Sequence, residues 1–284
     1  AEDKVVSTLG LFKPLKLRRP DRVLALMGCM VGPDTLRGLP ARFPYVDVFM
    51  RPEDYRPLLE VVGERLGMDW EGCLRSLAPA RPAVTVYVPI IHGCDLMCTI
   101  CIIPYRRGRQ VSRPLEEVVR EVSLLAARGV REVTLLGQTV DAYGQDLPEG
   151  KDLADLLYTL HEIDGLERIR FLTSHPIFFS ERIIRAVAEL PKVCECINLP
   201  VQAGDDEVLA RMRRRYTRDD YLRLVERIRA TIPDVAISTD VIVGFCGESE
   251  AQFNNTVRLL EEVRFDKVHV AAYSPRPGTI AWRR

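Results

Sequence analysis

The sequence predicts an α/β fold: an open partial (β/α)6 barrel preceded by a small α/β domain that the chain enters partway. Two observations carry this. From residue 84 onward, six runs rich in Val, Ile and Leu alternate with helical stretches at spacings of about 35 residues. Strands of that composition with helices between them form parallel sheets covered on their faces, and six βα units are too few to close an eight-fold barrel. Before residue 84 the pattern is shorter and less regular.

In chain order, 1–19 reads as a helix with no strand before it, as if the chain began inside a domain. Residues 22–30 ("RVLALMGCM") and 45–50 ("YVDVFM") read as strands, and 53–66 as a helix. These make residues 1–70 a small α/β unit. Residues 71–83, ending "LAPARPA", read as a linker. The barrel, 84–284, then runs strand 84–90, helix 114–128, strand 132–137, helix 152–163, strand 168–173, helix 180–190 and strand 196–201. Helices 205–213 and 218–231 follow, then strand 235–244, helix 248–263 and strand 267–273.

Composition excludes little but bounds the class. The 284 residues, 47% of them hydrophobic, suffice for a buried core. Lys+Arg and Asp+Glu are both 40, so net charge does not argue for an anionic partner, although basic residues cluster at 106–109 and 211–215. No apolar run reaches the roughly 20 residues of a membrane helix. Eight cysteines at irregular spacing do not read as a secreted disulfide framework. A reducing, cytoplasmic location without membrane association is expected.

The chemistry concentrates in "HGCDLMCTICIIPYRRG", residues 92–108. Cys94, Cys98 and Cys101 lie in the loop after the first barrel strand, at the carboxyl edge where parallel α/β sheets bind ligands. The other strand ends carry "LLGQT", "LTSHP", "LPVQAG" and "VIVGFCGE", polar or glycine-rich stretches converging on the same mouth. Three thiolates suit iron–sulfur or zinc. On a cubane they leave one iron open, since ferredoxin clusters take four. A structural zinc needs a fourth ligand, for which His92 is nearest.

The fuller string "GCDLMCTICIIPYRRGRQVSRP" resembles the methylthiotransferase family of radical S-adenosylmethionine enzymes, with its pattern GCNxxCTYCIVPxxRGxxxSRP. "LLGQTVDAYG", "IRFLTSHP", "LPVQAGDDEVLARMRRRYTRDDY", "TDVIVGFCGESEAQF" and "YSPRPGT" extend the similarity in order along nearly the whole chain. "TSHP" resembles the branch that modifies dimethylallyladenosine beside the anticodon of tRNA; the branch acting on a ribosomal protein usually differs there.

The resemblance implies a partial barrel of the radical S-adenosylmethionine type. Cys94, Cys98 and Cys101 would hold a [4Fe-4S] cluster whose open iron takes the amino and carboxylate groups of S-adenosylmethionine. Ile100 would pack on the cofactor adenine. Gly137, Gln138, Ser174, Gln202 and Gly244 would line the cofactor site. His175, Arg106, Arg107 and Arg213 would face the substrate. Cys29 matches the third ligand of a second, auxiliary [4Fe-4S] cluster, whose other two ligands would lie upstream of residue 1. An RNA-binding β-domain would follow residue 284. The expected partners are tRNA and an electron donor such as flavodoxin or ferredoxin, with the enzyme monomeric. The alternatives are the same chemistry on a ribosomal protein, or a non-catalytic RNA-binding module with a zinc at His92, Cys94, Cys98 and Cys101.

Other residues carry plainer readings. Gly137 also suits a turn, and Ser174 and His175 suit local capping before Pro176. Thr139 stands where the family usually has Asn and receives no role. Cys246 stands for a usual Pro and reads as a tolerated substitution. Glu248 reads as the cap of the following helix. Cys194 and Cys196 read as buried strand cysteines rather than a metal pair, and Cys73 has no partner. Arg109, Arg113, Arg211, Arg214 and Arg215 join the arginines that could meet RNA phosphates.

Overall fold

The computed structural model describes residues 2–28, 30–32, 38–51, 55–67 and 83–283. Two compact units result, Ala1–Ala80 and Arg81–Arg284. Cys29, Cys73 and most of the expected linker lie outside the described residues.

In the first unit, helix α1 (Glu2–Arg18) precedes strand β1 (Ala25–Met27), helix α2 (Leu39–Arg42), strand β2 (Val48–Met50) and helix α3 (Arg56–Leu66). The two strands pair in parallel, Ala25 opposite Val48. Leu9, Leu26, Val31, Leu39, Phe43 and Val46 form a separate small core. Asp47 ties the unit together. It accepts the Leu24 N–H and ion-pairs with Lys16 and Arg65. Burial works against its charge, but the Leu24 amide and the two cations hold the carboxyl below its usual range.

The second unit is the partial barrel. Its parallel strands are β3 (Thr85–Pro89), β6 (Glu132–Leu136), β7 (Arg168–Phe171), β8 (Cys196–Asn198), β9 (Ala236–Val243) and β10 (Lys267–Ala272). They form two three-stranded sheets, β3-β6-β7 and β8-β9-β10. A parallel bridge from Ile169 to Val193 joins the sheets, so the six strands follow one another in chain order. Among the described residues no pairing links β3 to β10, and the barrel stays open.

The helices cover one face because their apolar residues recur at helical spacing. In α5 (Leu115–Ala127) these are Val118, Val122 and Ala126. In α6 (Leu153–His161) they are Leu153, Ala154, Leu156, Leu157 and Leu160. Helix starts are fixed by side chains that satisfy free N–H groups. Asp152 with Asp155, Thr217 with Asp220, and Ser249 with Gln252 form capping boxes for α6, α9 (Arg218–Thr231) and α10 (Glu250–Val263). Ser180 and Asp205 cap α7 (Glu181–Glu189) and α8 (Asp206–Met212). One continuous core runs from Val88 to Ala281.

Three differences from the sequence reading matter. Strand 196–201 is shorter, because Pro200 cannot donate a ladder bond; only Cys196–Asn198 is regular, with Gln202 bridging to Val241 beyond it. The cysteine loop carries a small antiparallel pair, β4 (Ile91–His92) with β5 (Val111–Ser112), and a short helix α4 (Ile103–Arg107), too brief for periodicity to reveal. Glu248 does not cap α10, since Ser249 does; its carboxylate instead accepts the N–H groups of Gly244 and Phe245. No helix among the described residues is long and apolar enough to cross a membrane.

Candidate active site

The cysteine loop is clamped before it is functional. Cys94 N–H donates to the Gly108 carbonyl, closing the loop at the β4–β5 pair. Gly93 takes φ +71°, and a Cβ there would stand 1.9 Å from the Arg109 carbonyl oxygen, so only glycine fits. At the far end Thr99 is bonded through its N–H to Met212 O and through its hydroxyl to Arg211 O. The terminal segment folds alongside, with Ala281 N–H donating to Thr99 O.

Cys94 and Cys98 are buried and Cys101 half-buried, packed in one cluster with Leu96, Ile100, Ile103 and Phe178. Burial pushes the Cys101 thiol up, the Ile103 N–H pulls it back, and the neighbouring Cys98 and Cys94 raise it further. Among the described residues no group of three or more His, Cys, Asp or Glu side chains is arranged around a single metal ion.

The strand ends around the loop hold buried polar atoms with no protein partner: Gln138 Oε1, Asp141 Oδ1, Ser174 Oγ and His175 Nε2. Asp141, Ser174 and His175 are only 3–4% exposed. Buried polar groups are nearly always bonded, so a set of orphans beside three thiols marks a place built for a polar ligand. Thr139 Oγ1 lies 3.6 Å from Cys94 Sγ, tying the β6 end to the loop. His175 N–H donates to Asp141 Oδ2 at 2.8 Å, and Ser174 N–H donates to Asn198 O. The local reading of His175 also holds in part, since its Nδ1 accepts the Ile177 N–H.

Backbone strain gathers at the same edge. Among the described non-glycine residues, Met97, Thr173, Gln202, Arg213, Arg215 and Arg264 have φ between 52° and 70°; Arg213 and Arg264 are the left-handed caps of α8 and α10, and the other four lie in loops. Such conformations persist where the surrounding fold over-determines them, commonly at ligand sites.

The sequence-predicted residues divide. Cys94, Cys98, Cys101, Ile100, Gln138, Ser174 and His175 gather at this mouth. Gly137 is explained by packing, because a Cβ there would strike Ile91 Cγ2 at 2.3 Å. Gln202 is held by main-chain bonds to Asp240 and Ile242. Gly244 gives its N–H to Glu248. Arg106 and Arg107 are half-buried on α4, while Arg213 is exposed. Arg109 pairs with Asp95 and Arg113 with Glu121. Arg211 is spent on Gly247 O and Gln252. Arg214 is buried and turned inward, which removes it from any RNA-facing set. Cys196 is exposed and Cys194 half-buried, correcting their reading as buried residues; they sit at the start of β8, away from the mouth. Cys246 is half-buried, its thiol toward Ala281 O. Asp141 and Thr139 were missed. Neither belongs to a periodic pattern, and an acid between "QTV" and "AYG" gives no local sign of burial.

Asp141 makes a testable signature. Burial pushes its carboxyl up to about 8, against the His175 N–H bond. Burial, then the charges of Arg214 and Arg215, push His175 down to about 2. From about pH 4 to 6.5 the folded state keeps the Asp141 proton that the unfolded state has lost. Over the same range it refuses the proton that unfolded histidine takes, so the two effects on stability oppose each other. Between about pH 6.5 and 8 only Asp141 acts, and stability falls as pH rises, by at most about 1.4 kcal/mol per pH unit. Denaturant unfolding of the metal-free protein across this window will show that decline, and Asp141→Asn will flatten it. An equal slope in both proteins would contradict the assignment.

Comparison with known proteins agrees with this geometry. Residues 88–260 match the Radical SAM superfamily. Over 281 residues, 99% of the chain, it is 48% identical to the tRNA-2-methylthio-N(6)-dimethylallyladenosine synthase of Herpetosiphon aurantiacus, covering 64% of that protein. It is 50% identical to the synthase of the same name from Roseiflexus sp., covering 59%, and to that of Dehalococcoides mccartyi, covering 65%. The chain thus spans about three fifths of these relatives. Among solved structures, the cobalamin-dependent S-adenosylmethionine radical enzyme OxsB superposes on 99% of the chain (44% of its own) with TM-score 0.63 at 10% identity. The radical S-adenosylmethionine methyltransferase TsrM from Kitasatospora setae superposes on 69% (38% of its own) with TM-score 0.58 at 19% identity. At these identities the likeness is one of fold. With more than half of its length matched by the family, and the cysteine loop at the open barrel's mouth, the chain belongs to the radical SAM superfamily.

Proposed function

We propose that this chain is the catalytic portion of a tRNA methylthiotransferase, placing a methylthio group at an adenine C–H of dimethylallyladenosine next to the anticodon. The observation that supports this most is the three-thiol loop, in a chain about half identical to synthases of that name. The donor set fits a [4Fe-4S] cluster: three clustered thiols, and orphaned polar atoms beside them for a polar cofactor. Cys94, Cys98 and Cys101 would hold the cluster, with S-adenosylmethionine beside it. Bound there, the pair would supply one-electron radical chemistry.

The chain's own residues do the rest. Leu96, Ile100, Ile103 and Phe178 exclude water, which protects a radical from quenching. Gln138, Ser174 and His175 present unpaired polar atoms that orient cofactor or base. Arg106, Arg107 and Arg213 are the arginines we assign to RNA phosphates. Residues 1–70 are read as part of a methylthiotransferase domain in which Cys29 ligates an auxiliary [4Fe-4S] cluster. A flavodoxin or ferredoxin would supply electrons, and the enzyme would act as a cytoplasmic monomer.

The full-length protein, reconstituted anaerobically with iron and sulfide, will methylthiolate dimethylallyladenosine-containing tRNA when given reductant and S-adenosylmethionine, as seen by mass spectrometry of nucleosides. Modification of a ribosomal protein but not tRNA would replace this proposal with its nearest rival.

A further inference from the structure

Arg214 is a charged side chain 6% exposed, and its partners are unusual. Nε donates to the Tyr216 hydroxyl at 3.1 Å, Nη2 to the Pro200 carbonyl at 3.3 Å, and Nη1 to Cys98 Sγ at 3.5 Å. Tyr216 in turn donates to Val201 O, and its ring lies 5.5 Å from the guanidinium carbon. None of these partners is a carboxylate. Asp141 feels the Arg214 charge but does not bond it: Oδ2 accepts the His175 N–H and Oδ1 has no protein partner. A guanidinium does not shed its proton. A buried cation without a carboxylate partner is costly, and one of the groups this guanidinium grips, Cys98, is a thiol assigned above to the cluster.

The backbone tells the same story independently. Arg214 is flanked by two non-glycine residues in the left-handed region, Arg213 at φ 60° and Arg215 at φ 59°. Their side chains are exposed while Arg214 is buried. Arg213 is the left-handed cap that ends α8, and Arg215 takes the same conformation on the other side of Arg214, so the buried middle arginine of "RRR" sits between two exposed neighbours.

We propose that Arg214 is a positioning residue that sets the reduction potential of the cluster held by Cys94, Cys98 and Cys101, by fixing one unscreened positive charge against the Cys98 thiolate. This rests on the cluster assignment above but not on the identity of the substrate. Reduction adds a negative charge to a cluster already made anionic by its thiolates, and hydrogen bonds to the sulfurs and local charge tune its potential. A guanidinium donor at a ligating sulfur favours the reduced form and raises the potential. The electron comes from an external one-electron donor, and Arg214 exchanges no proton in the step.

The test is a redox titration of the reconstituted full-length protein, with mediators and electron paramagnetic resonance detection of the reduced cluster. Arg214→Gln will lower the potential. At fixed poise, the ratio of reduced to oxidised cluster will fall at least tenfold, equivalent to about 59 mV for a one-electron couple. Arg214→Lys, which keeps the charge but cannot grip Tyr216, Pro200 and Cys98 together, will fall between the two. A glutamine variant with full iron content and an unshifted potential overturns the proposal. If that variant fails to hold iron, a second neutral variant, Arg214→Met, decides: an unshifted potential there overturns the proposal equally, and a negative shift supports it. A wild-type protein that builds no cluster would instead refute the functional reading beneath.

Discussion

Replacing Cys98 with alanine is expected to abolish cluster loading and reduce methylthiolation to background while leaving the barrel folded. Cys98 is 7% exposed and packs with Cys94 and Leu96 against Ile100 and Phe178. The lost sulfur atom is small, and the loop remains tied by Thr99 to Met212 and Arg211. The stability cost is therefore that of one unsatisfied Arg214 N–H and a slight cavity, about 1–3 kcal/mol. On the proposed ligand assignment the cost to cofactor binding would be larger, because two thiolates cannot replace three on a cluster with three protein donors. Iron and acid-labile sulfide per chain, measured after anaerobic reconstitution, should fall to near zero while far-ultraviolet circular dichroism is unchanged. Retention of wild-type iron and activity would show that the loop is not the ligand set.

Gly93→Ala should be the most damaging glycine substitution in the cysteine loop. Two penalties add. A residue with a Cβ at φ +71° costs about 1–2 kcal/mol, and the new methyl would sit 1.9 Å from a backbone oxygen, forcing Arg109 to move at a further cost of about 1–3 kcal/mol. For a chain of this size the sum corresponds to a drop in melting temperature of roughly 4–20 °C. The displaced backbone is the clamp that seats Cys94, so iron loading should fall as well. Gly244→Ala is the control. It shares φ +71° but has open space where its Cβ would go, so only the conformational penalty applies. Equal melting temperatures for the two variants would refute the steric argument.

Much of the barrel was legible because its signals are local. Val, Ile and Leu runs mark β3, β6, β7 and β9 within a residue or two. The i, i+4, i+8 spacing of Val118, Val122 and Ala126 marks α5. Ser180, Asp205 and Thr217 announce helix starts by chemistry that acts within three residues. Where local signals conflict, the reading failed. Glu248 lies one residue before the true cap and looked equivalent to it, but the φ +71° turn at Gly244 brings its carboxylate back onto the loop amides. Cys196 alternates like a buried strand residue, yet it begins a three-residue strand whose first position is exposed.

The sequence by itself determined the three thiols and their place after a strand. It did so because ligand spacing and strand–loop order are properties of neighbouring residues. Only the tertiary structure decided that Asp141 sits buried against the His175 backbone, 34 residues away, and that Arg214 reaches Cys98 across 116 residues while Arg213 and Arg215 face out. The physical reason is that burial and its electrostatic consequences arise when distant segments exclude water from one another. No period or motif in "RMRRRY" distinguishes the one arginine that the fold turns inward.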